Sequence, residues 1–157
     1  MLKHILIAML IAGPALAQEI TLPNALTPGV LDPACNVEML KTTNTTARRL
    51  TTAAMKAEVY DRYHMTPRHA PECTGPGNSC AEVDHFYPLA LCGADAIENL
   101  SIESYEGPCN AHDKDLVEAY ASRAVKADRM TLPEAQALFK PDWRDSYQKL
   151  FGKSCSH

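Results

Sequence analysis

The chain has 157 residues, 46% of them hydrophobic, and a formal charge of −4. That length allows one domain with a modest core and excludes a large multi-domain assembly. The acidic balance excludes an overall basic coat, so any hold on nucleic-acid phosphate must come from a local concentration of Lys and Arg.

The chain opens with a short basic start, "MLKH", followed by the apolar run "ILIAMLIAGPALA". Ala15 and Ala17 occupy the small-residue positions of a cleavage site. Residues 1–17 therefore read as a secretory signal peptide, cut after Ala17. The run is shorter than the roughly 20 residues of a membrane span, so a periplasmic or secreted protein with no stable membrane association is expected. Cys35, Cys73, Cys80, Cys92, Cys109 and Cys155 all lie beyond the cut. An even number in an exported chain points to disulfides, and spacing does not choose among the pairings. Cys73 and Cys80 flank the turn "TGPGNS", which makes them the easiest local bridge. The close C-x-x-C pairs of a zinc ribbon are absent.

Residues 18–34 are rich in Pro and turn formers and read as an extended lead-in. "LTTAAMKAEVYDRYHM" is helix-like, with Thr51 or Thr52 as cap and Ala54, Met55, Val59 and Tyr63 as its apolar stripe. "TPRHAPECTGPGNSC" is loop. "AEVDHFY" and "NLSIESY" read as two short strands around a loop containing Pro88 and Gly93. A helix should then start near Asn110 or Asp113, with Leu116, Ala119, Tyr120 and Ala124 on one face. Thr131 with Pro133 opens another helix, and "DWRDSYQKLFG" forms a last one ending near Gly152. Trp143 sits among apolar residues and is expected in the core.

Between Lys41 and Arg68 the basic residues, Arg48 and Arg49 among them, outnumber the acidic ones. The run admits either a solvated helix face or a phosphate-binding patch. The chemistry concentrates in "AEVDHFYPLALCGADAIENLSI". His85, with an ordinary pKa near ~6.5, is a base at neutral pH. Asp84 offers an anionic oxygen, and Asn110, at a helix start, a neutral carbonyl oxygen. Hydrolysis of a phosphodiester needs both a base for the attacking water and a counter-charge for the phosphorane oxygens. Lys114, one helical turn beyond Asn110, suits a phosphate contact or a solvated surface equally. Neighbouring side chains of a regular strand point to opposite faces, so Asp84 and His85 cannot both face one point from ideal strand geometry.

The stretches "VDHFYPLALCGADAIENL" and "CNAHDKDLVEAY" resemble the HNH, or ββα-metal, endonuclease family. The likeness extends to small bacterial members with a lead-in like "LTPGVLDPAC" and a tail like "MTLPEAQALFKPDWRDSYQKLFG", and so covers most of residues 26–152. It implies an α+β fold: a two-stranded antiparallel hairpin and a helix forming the ββα-metal motif, packed among several helices and stabilised by disulfides. Residues 18–157 would be one nuclease domain, with lead-in, helix and loop at 18–80, the motif at 81–126 and C-terminal helices at 127–157. It implies His85 as general base, Asn99 as the residue orienting it, and Asp84 and Asn110 as ligands of one divalent metal, Mg²⁺ first, with Mn²⁺, Zn²⁺ or Ni²⁺ as alternatives. The substrate would be DNA, or RNA; from the residues themselves, Arg48, Arg49 and Lys114 are the candidates to grip its backbone, largely independently of sequence. The family loop often carries two glycines; here Cys92 stands at the first. The alternative is a non-catalytic, disulfide-stapled module that binds nucleic acid or protein on the same scaffold.

Overall fold

The computed structural model describes residues 26–155. The expected signal segment and its cut lie outside the described residues. Among those described, the fold is α+β: a two-stranded antiparallel sheet, five α-helices and three disulfides. The helices are α1 (Val37–Thr42), α2 (Ala53–Arg62), α3 (Ala111–Lys126), α4 (Leu132–Ala137) and α5 (Trp143–Phe151). The strands are β1 (Ala81–His85) and β2 (Leu100–Ser104). Local chemistry explains the helix starts. The Thr52 side chain accepts from the Met55 N–H at α2, and Thr131 and Glu134 form a reciprocal capping box at α4. Gly152, at φ 67°, closes α5 in the left-handed conformation that glycine tolerates. The extended lead-in was not expected to continue into a helix; α1 forms because Asn36 caps it by accepting from the Met39 N–H at 3.0 Å.

The register pairs Val83 with Ile102, Asp84 with Ser101, and Glu82 with Glu103. Cross-strand partners share a face, so the hairpin has two unlike sides. On one, Val83, Leu100 and Ile102 pack with Val59 and Tyr60 of α2. Each such burial contributes about 1.5–3 kcal/mol. The other side carries Glu82, Asp84, Ser101 and Glu103, and Lys114 of α3 reaches it. A second apolar cluster joins α1, α3, α4 and α5 through Leu40, Val117, Ala121, Ala135, Trp143 and Tyr147, with Phe139 between α4 and α5. Trp143 is core, as its setting in the sequence suggested.

The face of α3 differs from the expectation. Ala124 is buried as expected, but Leu116 and Tyr120 are 45% and 39% exposed, while Lys114, Val117, Ala121 and Val125 are buried. Small Ala121 and Val117 let α3 approach α5 closely, and Lys114 shares their face because it is paired there with a carboxylate. A pattern reading assigns a lysine to solvent and so rotates the helix.

The cysteines pair as Cys35–Cys92, Cys73–Cys80 and Cys109–Cys155. The local bridge across "TGPGNS" is therefore present. Three disulfides suit an oxidising compartment, and no helix among the described residues is long and apolar enough to cross a membrane. Cys92 takes φ 63°, a left-handed geometry that costs a side-chain-bearing residue about 1–2 kcal/mol. Its disulfide and the Leu31↔Gly93 bridge tie the lead-in to this loop. A Cβ on Gly93 would lie 1.7 Å from the Tyr87 carbonyl oxygen, so only glycine fits there.

Candidate functional site

The end of β1 and the loop after it build a small cleft of about 60 Å³ lined by Thr45, Arg49, Asp84, His85, Pro88, Leu89, Ala90 and Glu118. Asp84 and His85 enter it from the two faces of the strand, with Asp84 Oδ1 and His85 Nδ1 4.0 Å apart. The strand stops at His85, which lets adjacent side chains converge.

Asp84 leans toward α3, where its Oδ2 accepts from the Lys114 ammonium. Lys114 also donates to the His85 carbonyl at 2.7 Å and stands 3.4 Å from Glu118 Oε1. Burial acts to raise the Asp84 pKa, but the charge and hydrogen bond of Lys114 overcome it and hold the carboxyl below its ordinary value. Burial opposes the Lys114 charge too, yet Asp84, Glu118 and Glu103 together raise its pKa and keep it an ammonium. Glu118 is pushed up to about 7 by burial and by the charges of Asp84 and Asp115, against the pull of Lys114. The group therefore holds more carboxylate than counter-charge.

His85 is buried, and burial lowers its pKa from 6.5 against the pull of Asp95 and Asp84. Its Nε2 lies 2.8 Å from Asp95 Oδ1. Asp95 in turn accepts from the Thr51 hydroxyl and the Leu50 N–H, just before α2. Those bonds overcome burial and hold the Asp95 carboxyl below its ordinary pKa.

Asn99 is fully buried inside the loop. Its Oδ1 accepts from the Tyr87 N–H at 2.9 Å and the Val30 N–H at 3.3 Å. Its Nδ2 donates to the Tyr87 and Ala94 carbonyls at 2.9 and 2.8 Å. Four backbone bonds from one side chain clamp the turn that follows His85.

Three expected site residues are committed to other contacts. Asn110 caps α3: its Oδ1 accepts from the His112 N–H at 3.0 Å and the Asp113 N–H at 3.4 Å, so its carbonyl is spent on the helix end. It does not line the cleft; the α3 residue that does is Glu118. Lys114 is 1% exposed and paired with Asp84, which removes it from the surface where a phosphate contact was expected. Arg48 donates to the Leu89 carbonyl at 2.8 Å and to Asp32 at 3.2 Å, clamping the lead-in to the cleft loop instead of facing outward. Arg49 does line the cleft.

Glu118 and Asp95 escaped the sequence reading. Glu118 was within reach of it, because it stands four residues after Lys114 and so on the same helical face. Asp95 had no local signal; only the packing of the loop against the start of α2 brings it to His85.

The donor set of the cleft is of the oxygen type that a hard divalent cation takes. Asp84 and Glu118 supply those oxygens, and an added positive charge would oppose the burial and the neighbouring carboxylates that raise Glu118. Asp84, His85 and Glu118 do not form a trio of mutually close ligand atoms; among the described residues that closeness belongs to Cys73, Cys80 and Glu106, whose sulfurs are joined to each other. Two carboxylates with water and phosphate completing the shell is the manner in which Mg²⁺ is commonly held.

The fold and cleft thus define a disulfide-bonded α+β protein with a buried histidine set among carboxylates. Compared with protein-family models, curated proteins and solved structures, the chain matches none.

Proposed function

We propose that this chain is an exported, metal-dependent endonuclease of the HNH type that hydrolyses phosphodiesters of DNA. The observation that carries this reading is the meeting of His85 with Asp84, Glu118 and Arg49 around one small cleft. His85 is the general base. Its burial favours the neutral ring, which takes the proton of a water attacking phosphorus. The P–O3′ bond breaks, leaving a 5′-phosphate and a 3′-oxygen that solvent protonates. Asp84 and Glu118 would hold the cation. When bound, a divalent cation stabilises the negative charge that builds on the phosphoryl oxygens. Arg49 meets the same charge from the rim, and Asn99 keeps the loop beneath His85 in shape. The contacts invoked are to phosphate, which carries no sequence information, so cleavage is largely sequence-independent.

A second reading rests on Lys114. Its ammonium already neutralises Asp84, as in a scaffold that binds nucleic acid or protein without a metal or a reaction. Plasmid nicking with Mg²⁺ or Mn²⁺, with and without EDTA, separates the two. The nuclease reading expects metal-dependent nicking that His85→Ala lowers on the order of 10²–10⁴-fold, with the thermal unfolding transition retained. Equal nicking by the variant, or none by the wild type with any ion, rejects it.

A further inference from the structure

We propose that Asp95 is a positioning residue for His85, holding the ring with its proton on Nε2 and its lone pair on Nδ1, toward the cleft. Its catalytic consequence rests on the reading of His85 as base; the proton's position does not.

The geometry supplies each link. His85 Nε2 lies 2.8 Å from Asp95 Oδ1, and a carboxylate held ionised only accepts, so the ring nitrogen must donate. Nδ1 is then the unprotonated nitrogen, and it lies on the side of Asp84, at 4.0 Å. The carboxylate has little freedom to turn away. Oδ1 also receives the Thr51 hydroxyl, and Oδ2 receives the Leu50 N–H. The Asp95 side chain is only 8% exposed, so solvent does not compete strongly for it. Two segments distant in sequence, the start of α2 and the loop after β1, thereby fix one imidazole proton. The arrangement follows the logic by which a buried carboxylate sets the histidine tautomer in a catalytic triad.

Asp95→Asn separates this role from simple packing. The Leu50 backbone can only donate, so the introduced amide must keep its oxygen there and turn its NH₂ toward Thr51 and His85. Thr51 can accept as well as donate, and His85 can change tautomer. The substitution therefore moves the imidazole proton to Nδ1 and removes the base from the cleft at little change in volume.

The experiment is a long-range ¹H–¹⁵N spectrum of the His85 ring in the intact protein, assigned by its loss in His85→Gln, together with steady-state cleavage. The wild type is expected as the Nε2–H tautomer and Asp95→Asn as Nδ1–H. In cleavage, kcat of Asp95→Asn falls on the order of 10²–10⁴-fold with KM unchanged. Thr51→Val, which removes one bond to the carboxylate, keeps Nε2–H and loses less kcat than Asp95→Asn. A wild-type Nδ1–H ring overturns the proposal without any variant, as does Asp95→Asn that folds and either keeps Nε2–H or cleaves at the wild-type rate. If the tautomer moves as expected but the wild type cuts no substrate, the positioning role stands and the nuclease reading fails.

Discussion

The two faces of the hairpin are built from the same pair of strands, β1 and β2, and obey opposite rules. The face on α2 is apolar, and its side chains need no particular partner, only exclusion of water. The face toward α3 is a charged interior in which Glu82, Asp84 and Glu103 crowd around Lys114. Its groups survive burial only by pairing, and one is poorly paired. Glu103 is buried, its Oε1 has no hydrogen-bond partner, and the nearest Arg144 contact is 3.9 Å. Like charges opposite each other, as in Glu82↔Glu103, destabilise a sheet. Such a face is poor for stability; its end carries Asp84 into the cleft, where His85 arrives from the other face.

Three changes break or sharpen this contrast. The largest effect is expected from Lys114→Met, which strands Asp84, Glu103 and Glu118 without their shared counter-ion. Breaking a buried pair from one side costs about 3–5 kcal/mol, measured by urea unfolding at pH 7. Added Mn²⁺ should restore part of that loss if the carboxylates hold a cation, and none if they do not. Next, Ile102→Ala on the dry face should cost about 2–5 kcal/mol with no dependence on pH or metal. If its cost proves as sensitive to pH as that of Lys114→Met, the two faces are not separate.

The smallest effect is that of Glu103→Gln. Burial raises the Glu103 pKa above 4.5, more than Lys114 and Arg144 lower it. Below 4.5 the carboxyl is protonated in both folded and unfolded chains and carries no penalty. As pH rises from 4.5 through the folded value, the unfolded chain ionises first and stability falls. Glu103→Gln should remove that fall and stabilise at pH 7 by on the order of 1 kcal/mol. Asp84 works in the reverse sense: its folded pKa is below 3.8, so its contribution is present above that value and is lost as pH drops through the folded one. A denaturation series from pH 3 to pH 8 on the wild type and Glu103→Gln isolates the group by difference; a gap between the two that does not widen as pH rises from 4.5 contradicts the assignment of Glu103.

Much of the secondary structure was legible because it is locally encoded. Thr52 and Thr131 announce helix starts, Gly152 a helix end, and the alternation in "NLSIESY" a strand. Cys73–Cys80 was legible because only a short turn separates the pair. The longer bridges, Cys35–Cys92 and Cys109–Cys155, were not, since spacing carries no information on contacts across 57 and 46 residues. The inward face of α3 was misread for a physical reason. Lys114 is buried by its ion pair, and hydrophobic periodicity has no way to record a charge that is inside because another charge is.

The candidate site divides along the same line. Asp84, His85 and Asn99 stand in one short stretch, and it was the likeness of that stretch to a nuclease motif that singled out Asn99 beside the carboxylate and the imidazole. That Glu118 joins them while Asn110 caps its helix, and that Asp95 holds the His85 ring, was settled only by folding. Glu118 reaches the cleft from a helix far along the chain, whereas the Asn110 cap and the His85–Asp95 bond form between nearby residues; in each case what a polar side chain does depends on which donor, acceptor or charge the packing brings within about 3 Å of it.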